Sequence, residues 1–152
     1  MKVFISGSII LKTLGEIEID YLDTIIEGKC TVLIGDANGM DKAEQQYLAE
    51  QNYPSVIVCF SGDKVRNNIG NWQTKHIPNP ENRAGRARYQ LKDHAMADDC
   101  DSALMFWDGK SNGTKHNMNY LKELGKYYLF LSRAGKVLGI GNKNKMNGMI
   151  PF

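Results

Sequence analysis

The sequence predicts an α/β fold, a three-layer sandwich about a mostly parallel five-stranded sheet, and three observations carry that prediction. Short, near-continuous apolar runs alternate with amphipathic helical patterns, as in strands that are buried on both faces by crossover helices. Three of the strand-like runs end in small polar turns: Ser6-Gly7-Ser8 after Val3-Phe4-Ile5, Ile34-Gly35-Asp36-Ala37-Asn38-Gly39-Met40-Asp41 after Thr31-Val32-Leu33, and Trp107-Asp108-Gly109-Lys110-Ser111-Asn112-Gly113-Thr114 after Ser102-Ala103-Leu104-Met105-Phe106. The length of 152 residues, 42% apolar and 24% charged, suits one domain, 1–152, with a full core. Right-handed crossovers between parallel strands then give a doubly wound, Rossmann-like arrangement.

Taken in order, Lys2–Ser6 is the first strand. Thr13-Leu14-Gly15-Glu16 has the form of a capping box, and Ile17, Tyr21 or Leu22, and Ile25 follow at helical spacing. Thr31–Ile34 is the second strand, and a helix with Ala43, Tyr47 and Leu48 runs from about Met40 to Gln51. Ser55–Phe60 is a continuous apolar run of strand length. Residues 61–83 carry Gly62, Gly70, Pro78, Pro80 and several Asn without periodicity, a long loop of the kind that serves as a lid or binding segment. Ala84–Ala97 is a helix, Ser102–Trp107 the fourth strand, Thr114–Leu124 a helix and Tyr127–Ser132 the fifth strand. The segment 133–152, rich in Gly, Asn and Lys with Val137, Leu138, Ile140 and Ile150 as apolar outliers, is compatible with an edge hairpin, an arm on a neighbour or a frayed tail.

Composition excludes several classes. A net charge of +2 is too slight to argue for nucleic acid or a membrane surface by itself. No apolar stretch approaches the roughly 20 residues that a bilayer span needs. Met1-Lys2-Val3-Phe4-Ile5-Ser6-Gly7 has one charge and a very short apolar run, a strand and not a signal peptide. Cys30, Cys59 and Cys100 are odd in number and widely spaced, which predicts reduced thiols and a cytoplasmic protein. His76, His94 and His116 form no metal-spaced set, so neither metal nor cofactor is expected.

A strand that passes through a flexible turn into a helix leaves bare backbone N–H groups at the positive end of the helix dipole, which suits a phosphate or carboxylate. All three turns fall at the carboxyl ends of strands, where doubly wound sheets hold their ligands. The candidate ligand-binding residues are therefore Ser6, Gly7, Ser8, Gly35, Asp36, Gly39, Asp41, Arg86, Asp108, Gly109, Ser111, Gly113 and Thr114. Glycines let backbone approach a ligand and take positive φ. Asp36 and Asp41 would repel a bare phosphate, so one of them is assigned to a hydroxyl such as that of ribose. Asp41 equally suits a structural role at its helix N-terminus, worth about 0.3–1 kcal/mol. Ser111 and Thr114 offer hydroxyls for phosphate, and capping by Ser111 or Asn112 is compatible with that. Arg83, Arg86 and Arg88 start a helix against its dipole, which a bound anion would offset; a solvated basic face is the alternative. Trp72, in the long loop, either stacks on a base or anchors the loop, and Trp107 is half core, half rim.

These turns, with the stretch from Arg86 to Cys100-Asp101, resemble the SLOG superfamily, the SMF/DprA–LOG Rossmannoid proteins, and in particular its YspA/YpsA-related branch. The resemblance covers residues 1 to about 131. It implies a doubly wound fold that binds a nucleotide or nucleotide-derived ligand at these turns. The leading reading of the residues places phosphate against Gly113-Thr114 and Ser6-Gly7-Ser8, ribose near Asp36 and Asp41, and the 61–83 loop with Trp72 over the base. LOG-type phosphoribohydrolases and nucleoside deoxyribosyltransferases, more distant relatives, carry a Gly-Thr pair followed three residues after the Thr by a glutamate. Here Gly113-Thr114-Lys115-His116 is followed by Asn117, whose amide can hydrogen-bond a sugar but cannot act as a base or carboxylate nucleophile. Asp36, Asp41, Asp108 and Asn117 are the catalytic candidates if the protein hydrolyses or transfers at the N-glycosidic bond of a nucleotide. DprA-like nucleic-acid binding, resting on Lys110, Lys115, Lys122, Lys126 and the tail lysines, is a third and weaker reading. Related folds pair through their helices, so a homo-oligomer is a further expectation of the resemblance.

Overall fold

The computed structural model describes residues 1–143 and Phe152. Its elements are β1 (Lys2–Gly7), α1 (Glu16–Glu27), β2 (Thr31–Gly35), α2 (Met40–Glu50), β3 (Val56–Phe60), β4 (Gln73–His76), α3 (Gly85–Asp99), β5 (Ser102–Phe106), α4 (Asn112–Leu124), β6 (Tyr127–Leu131) and β7 (Val137–Gly141). They form one sheet of seven strands in the order β4-β3-β2-β1-β5-β6-β7. All neighbours are parallel except β6 and β7. The architecture is the expected doubly wound Rossmann-like sandwich, with two strands more than the predicted five.

Both additional strands have a physical reason for escaping the sequence pattern. β4 reads Gln-Thr-Lys-His and all four residues are exposed, so it joins β3 mainly through backbone pairing, Ile57 opposite Gln73, with the His76 ring against that of Phe60. It lies inside the segment expected to be a loop throughout. β7 follows a turn in which Ser132 N–H donates to Lys136 O at 2.9 Å and Gly135 takes φ +84°. Of the three alternatives for the tail, the edge hairpin is thus seen as far as Gly141, whereas Ile150 lies outside the described residues. The capping box also differs. Gly15 is the N-cap of α1, and Glu18 accepts its N–H at 3.1 Å, two residues downstream of the expected Thr13–Glu16 pair. Thr13 instead accepts Arg133 from the β6–β7 turn, 2.7 Å at its carbonyl.

Strand alternation sorts the core into two layers. Val3, Ile5, Val32, Ile34 and Val58 pack with Leu22 and Ile25 of α1 and Leu48 of α2. Phe4, Leu33, Met105 and Phe130 pack on the other face with Met96 and Ala97 of α3 and Leu121 of α4. Each of these Val, Leu, Ile, Met and Phe side chains contributes about 1.5–3 kcal/mol by burial. Cys30, Cys59 and Cys100 are free and buried, and burial pushes the Cys59 thiol up to about 11 and that of Cys100 to about 12. Among the described residues no helix is long and apolar enough to cross a membrane.

The topology places the site. The chain winds outward from β1 through β2 and β3 to β4, then α3 carries it back to β5 on the opposite side of β1. Strand order therefore reverses between β1 and β5, and the loops beyond their carboxyl ends diverge to leave a crevice.

Candidate functional site

At that reversal lies a cleft of about 560 Å³, bordered by the ends of β1 and β5 and the N-terminal parts of α2, α3 and α4. Its volume is in the range of small-molecule sites, about 300–1,000 Å³.

The loop after β5 is fixed from within. Asp108 accepts the backbone N–H groups of Lys110 at 2.9 Å and Ser111 at 2.8 Å, and those bonds hold its carboxyl below the usual range. Ser8 ties the β1 loop to it. The Ser8 hydroxyl lies 2.8 Å from Ser111 Oγ and 3.2 Å from Asp108 Oδ1, and it accepts the Asp108 N–H at 3.1 Å. Beyond this clasp α4 begins without a side-chain cap, and the first intrahelical bond is that of Lys115 N–H to Ser111 O at 3.3 Å. The N–H groups of Asn112, Gly113 and Thr114 consequently have no acceptor among the described residues, and all three residues line the cleft. A Cβ at Gly113 would meet nothing within 4 Å.

The start of α2 has the opposite character. Asp41 lies in its first turn, buried, accepting the Ser6 hydroxyl at 3.2 Å and the Ala37 N–H at 3.3 Å. Burial pushes its carboxyl up to about 6, against the pull of nearby Lys92. α3 contributes Arg86, Tyr89, Gln90, Lys92 and Asp93. Asp93 accepts the Asn117 amide at 2.9 Å, and its carboxyl is raised by burial, opposed by Lys92 and by that amide. Ile9 adds an apolar side chain, 58% exposed, at the rim.

Of the residues singled out in the sequence, Ser6, Gly7, Asp41, Arg86, Asp108, Ser111, Gly113, Thr114 and Asn117 line the cleft. Ser8, Gly35, Asp36, Gly39 and Gly109 do not. Ser8 is the clasp just described. Gly35 makes room for two side chains: a Cβ there would collide with the Asp41 carboxylate and lie 2.9 Å from Lys92 Nζ. Gly39 has φ +83°, and its Cβ would strike the Ile9 carbonyl. Gly109, φ +80°, shapes the turn at which Asp108 closes on itself.

Asp36 corrects the ribose expectation most directly. Its carboxylate is 2% exposed and accepts the Arg66 N–H at 2.9 Å, the Arg66 guanidinium at 3.1 Å and Lys92 Nζ at 3.4 Å. Burial works to raise that carboxyl, but the Arg66 bonds and Lys92 outweigh it and hold it low. Both of its oxygens are taken up by these contacts, and the cleft carboxylates brought by α2 and α3 are Asp41 and Asp93.

The 61–83 segment is not a lid in this structure, since none of its residues lines the cleft. Asn67 donates to Asp36 O at 2.8 Å and Asn38 Oδ1 at 3.0 Å, while Gln45 donates to Asn67 O at 3.1 Å. Trp72 immediately precedes β4, at the amino end of the sheet, and its indole N–H donates to Tyr53 O at 2.8 Å. It is the loop anchor of the two alternatives, at the wrong end for a base. Arg83 pairs with Glu81 at 2.9 Å, and Arg88 lies 5.4 Å from the Tyr89 ring centre, which leaves Arg86 as the arginine of that trio in the cleft.

Apart from Arg86, sequence reasoning missed the side of the cleft built by α3. The signal was present: Arg86, Tyr89, Gln90 and Asp93 stand at i, i+3, i+4 and i+7, one face of a helix. Among the described residues no group of three or more His, Cys, Asp and Glu is arranged to hold a metal ion. Comparison with protein-family models, curated proteins and solved structures finds no match.

Proposed function

We propose that this domain binds a small phosphorylated, hydroxyl-bearing ligand of the nucleotide or nucleotide-sugar type. The observation that carries the reading is the uncapped start of α4, where the N–H groups of Asn112, Gly113 and Thr114 open onto the cleft beside a side-chain-free Gly113. Bare N–H groups at a helix N-terminus suit a phosphate, and Arg86 and Lys110 supply counter-charge on the same lining. Asp41, Asp93 and Asn117 suit the hydroxyls of a sugar, and Ile9 and Tyr89 offer apolar and aromatic contact to a base. The resemblance of the three turns to the SLOG superfamily supports the same ligand class. A thermal-shift panel of nucleoside mono-, di- and triphosphates, ADP-ribose, NAD and free nucleosides tests it. A ligand at about 100 times its Kd stabilises by about 2.7 kcal/mol, so phosphorylated nucleosides should raise Tm where free nucleosides do not.

A specific observation favours a second, enzymatic reading, hydrolysis or transfer at the N-glycosidic bond. Buried Asp41 at about 6 and half-buried Asp93, also raised, place two carboxyl groups in the cleft with proton affinities moved toward neutrality, as general acid–base chemistry requires. Asn117 brings no carboxylate itself but hydrogen-bonds one, that of Asp93. Release of free base from a nucleoside monophosphate, abolished in Asp93→Asn with nucleotide binding retained, distinguishes this reading from binding alone.

A further inference from the structure

Next to the cleft, α3 and α4 meet through two histidines that neither reading uses. His94 Nε2 and His116 Nε2 are 2.7 Å apart, with ring planes 15° apart and centroids separated by 4.9 Å. Centroids so much farther apart than the nitrogens, in nearly parallel planes, mean that each ring points its nitrogen edge at the other. One hydrogen fits on that line, so one Nε2 donates and the other accepts through a bare lone pair. A metal ion does not fit, because zinc–nitrogen bonds of about 2.0–2.1 Å would hold the two nitrogens farther apart than this. Tyr120 of α4 stacks on His94, centroids 4.0 Å apart, and its hydroxyl donates to Asp98 at 2.7 Å.

We propose that His94 and His116 are a proton-sharing pair that makes ligand binding in the cleft sensitive to pH, an inference that rests on the cleft being the ligand site. The neutral pair has one Nε2–H and one Nδ1–H. A first added proton occupies the free Nδ1 of the donor ring, and the Nε2–H···Nε2 bond survives. A second has only the accepting Nε2 left, and two N–H groups then confront each other. The groups facing the pair are Asp93 and Asp98 from α3 and Tyr120 and Glu123 from α4, with Lys92 beyond Asp93. Burial and the second imidazole hold His94 below the ordinary imidazole value, against those carboxylates. A base with a lowered folded pKa contributes its full stability above its unfolded value of about 6.5 and loses it as pH falls toward the folded value. Asp93 immediately precedes His94 and Asn117 immediately follows His116, and these two residues make the adjoining inter-helix bond and line the cleft. Parting α3 from α4 at the histidines therefore opens the Asp93–Asn117 contact and displaces the start of α4.

The test compares wild type with His116→Gln, which keeps a hydrogen-bonding amide but no titration, and with His94→Gln as the reciprocal variant. Imidazole nitrogen shifts and the affinity for AMP are measured from pH 7.5 to 5.5. The AMP phosphate titrates identically with all three proteins, so its own effect cancels. The expected result is a coupled imidazole titration whose second step lies well below the ordinary value, and a loss of AMP affinity toward pH 5.5 about tenfold larger in wild type than in either variant. Two independent, ordinary imidazole titrations overturn the proposal, as does an equal pH dependence in all three proteins. If AMP binds none of them at any pH, the ligand reading has failed. The Asn117 side-chain amide then decides the coupling: it must shift with the second imidazole step in wild type and stay fixed in His116→Gln, and an unmoved signal in wild type overturns it.

Discussion

Asp93 of α3 and Asn117 of α4 are joined by a 2.9 Å hydrogen bond, and both line the cleft. Asn117 lies three residues after Thr114 on the cleft side of α4, and its amide donates to a carboxylate brought by another helix. The cleft thus holds a carboxylate beside the Gly113-Thr114 turn, provided by the packing of α3 on α4.

Gly113 separates fold from function. Because a Cβ there meets nothing within 4 Å, Gly113→Ala should leave the fold intact and stabilise it by up to about 1 kcal/mol, as Ala replaces Gly in a helix. Gly113→Leu fills the space in front of the bare N–H groups. Urea titration should show both variants folded, and only the leucine variant should lose its thermal response to nucleotides.

Ser8 is predicted to matter for stability and site shape together. Its buried hydroxyl joins Asp108 and Ser111. Ser8→Ala leaves the Asp108 N–H without its acceptor, and should cost about 1–3 kcal/mol in chemical denaturation and weaken nucleotide binding.

Asp41 carries the cost of a charge buried in the cleft wall. Its folded value of about 6 exceeds the unfolded one, so between about 4 and 6 the native state binds more protons than the unfolded chain. Stability from this group is therefore highest at acid pH and falls as pH rises through that window. Asp41→Asn removes the penalty. At pH 7.5 it should raise stability by about 1–2 kcal/mol, after allowing for the lost carboxylate at the helix N-terminus, while lowering affinity for sugar-bearing ligands. Denaturation at several pH values with paired binding measurements checks both signs.

Glu44 is a purely structural counterpart. It is fully buried on α2, and neither carboxyl oxygen finds a hydrogen-bond partner among the described residues. Burial raises its carboxyl well above the ordinary value, helped by Asp41 and Glu18. The same sign argument makes its contribution fall as pH rises above the unfolded value. Glu44→Met, which is similar in shape and apolar, should be more stable than wild type at pH 8 by about 1–3 kcal/mol, and its stability should depend less on pH.

Where the sequence was legible, one local pattern was sufficient. The apolar runs of β1, β2, β3, β5 and β6 and the helices between them follow from periodicity, and the turns after β1 and β5 do meet in one cleft. Where it was not, the deciding contacts are long-range. Asp36 reads as an open loop carboxylate until Arg66 and Lys92, 30 and 56 residues away, close over it. Trp72 reads as either a stacking residue or a loop anchor until β4, without a single apolar side chain, fixes it at the far end of the sheet.

The most direct measurement is a backbone amide NMR titration with AMP and, in parallel, adenosine. Binding of phosphate at the uncapped start of α4 predicts large shifts of the Asn112, Gly113 and Thr114 amides with AMP and much smaller ones with adenosine. Unmoved amides at a saturating AMP concentration, or equal shifts with adenosine, would contradict it.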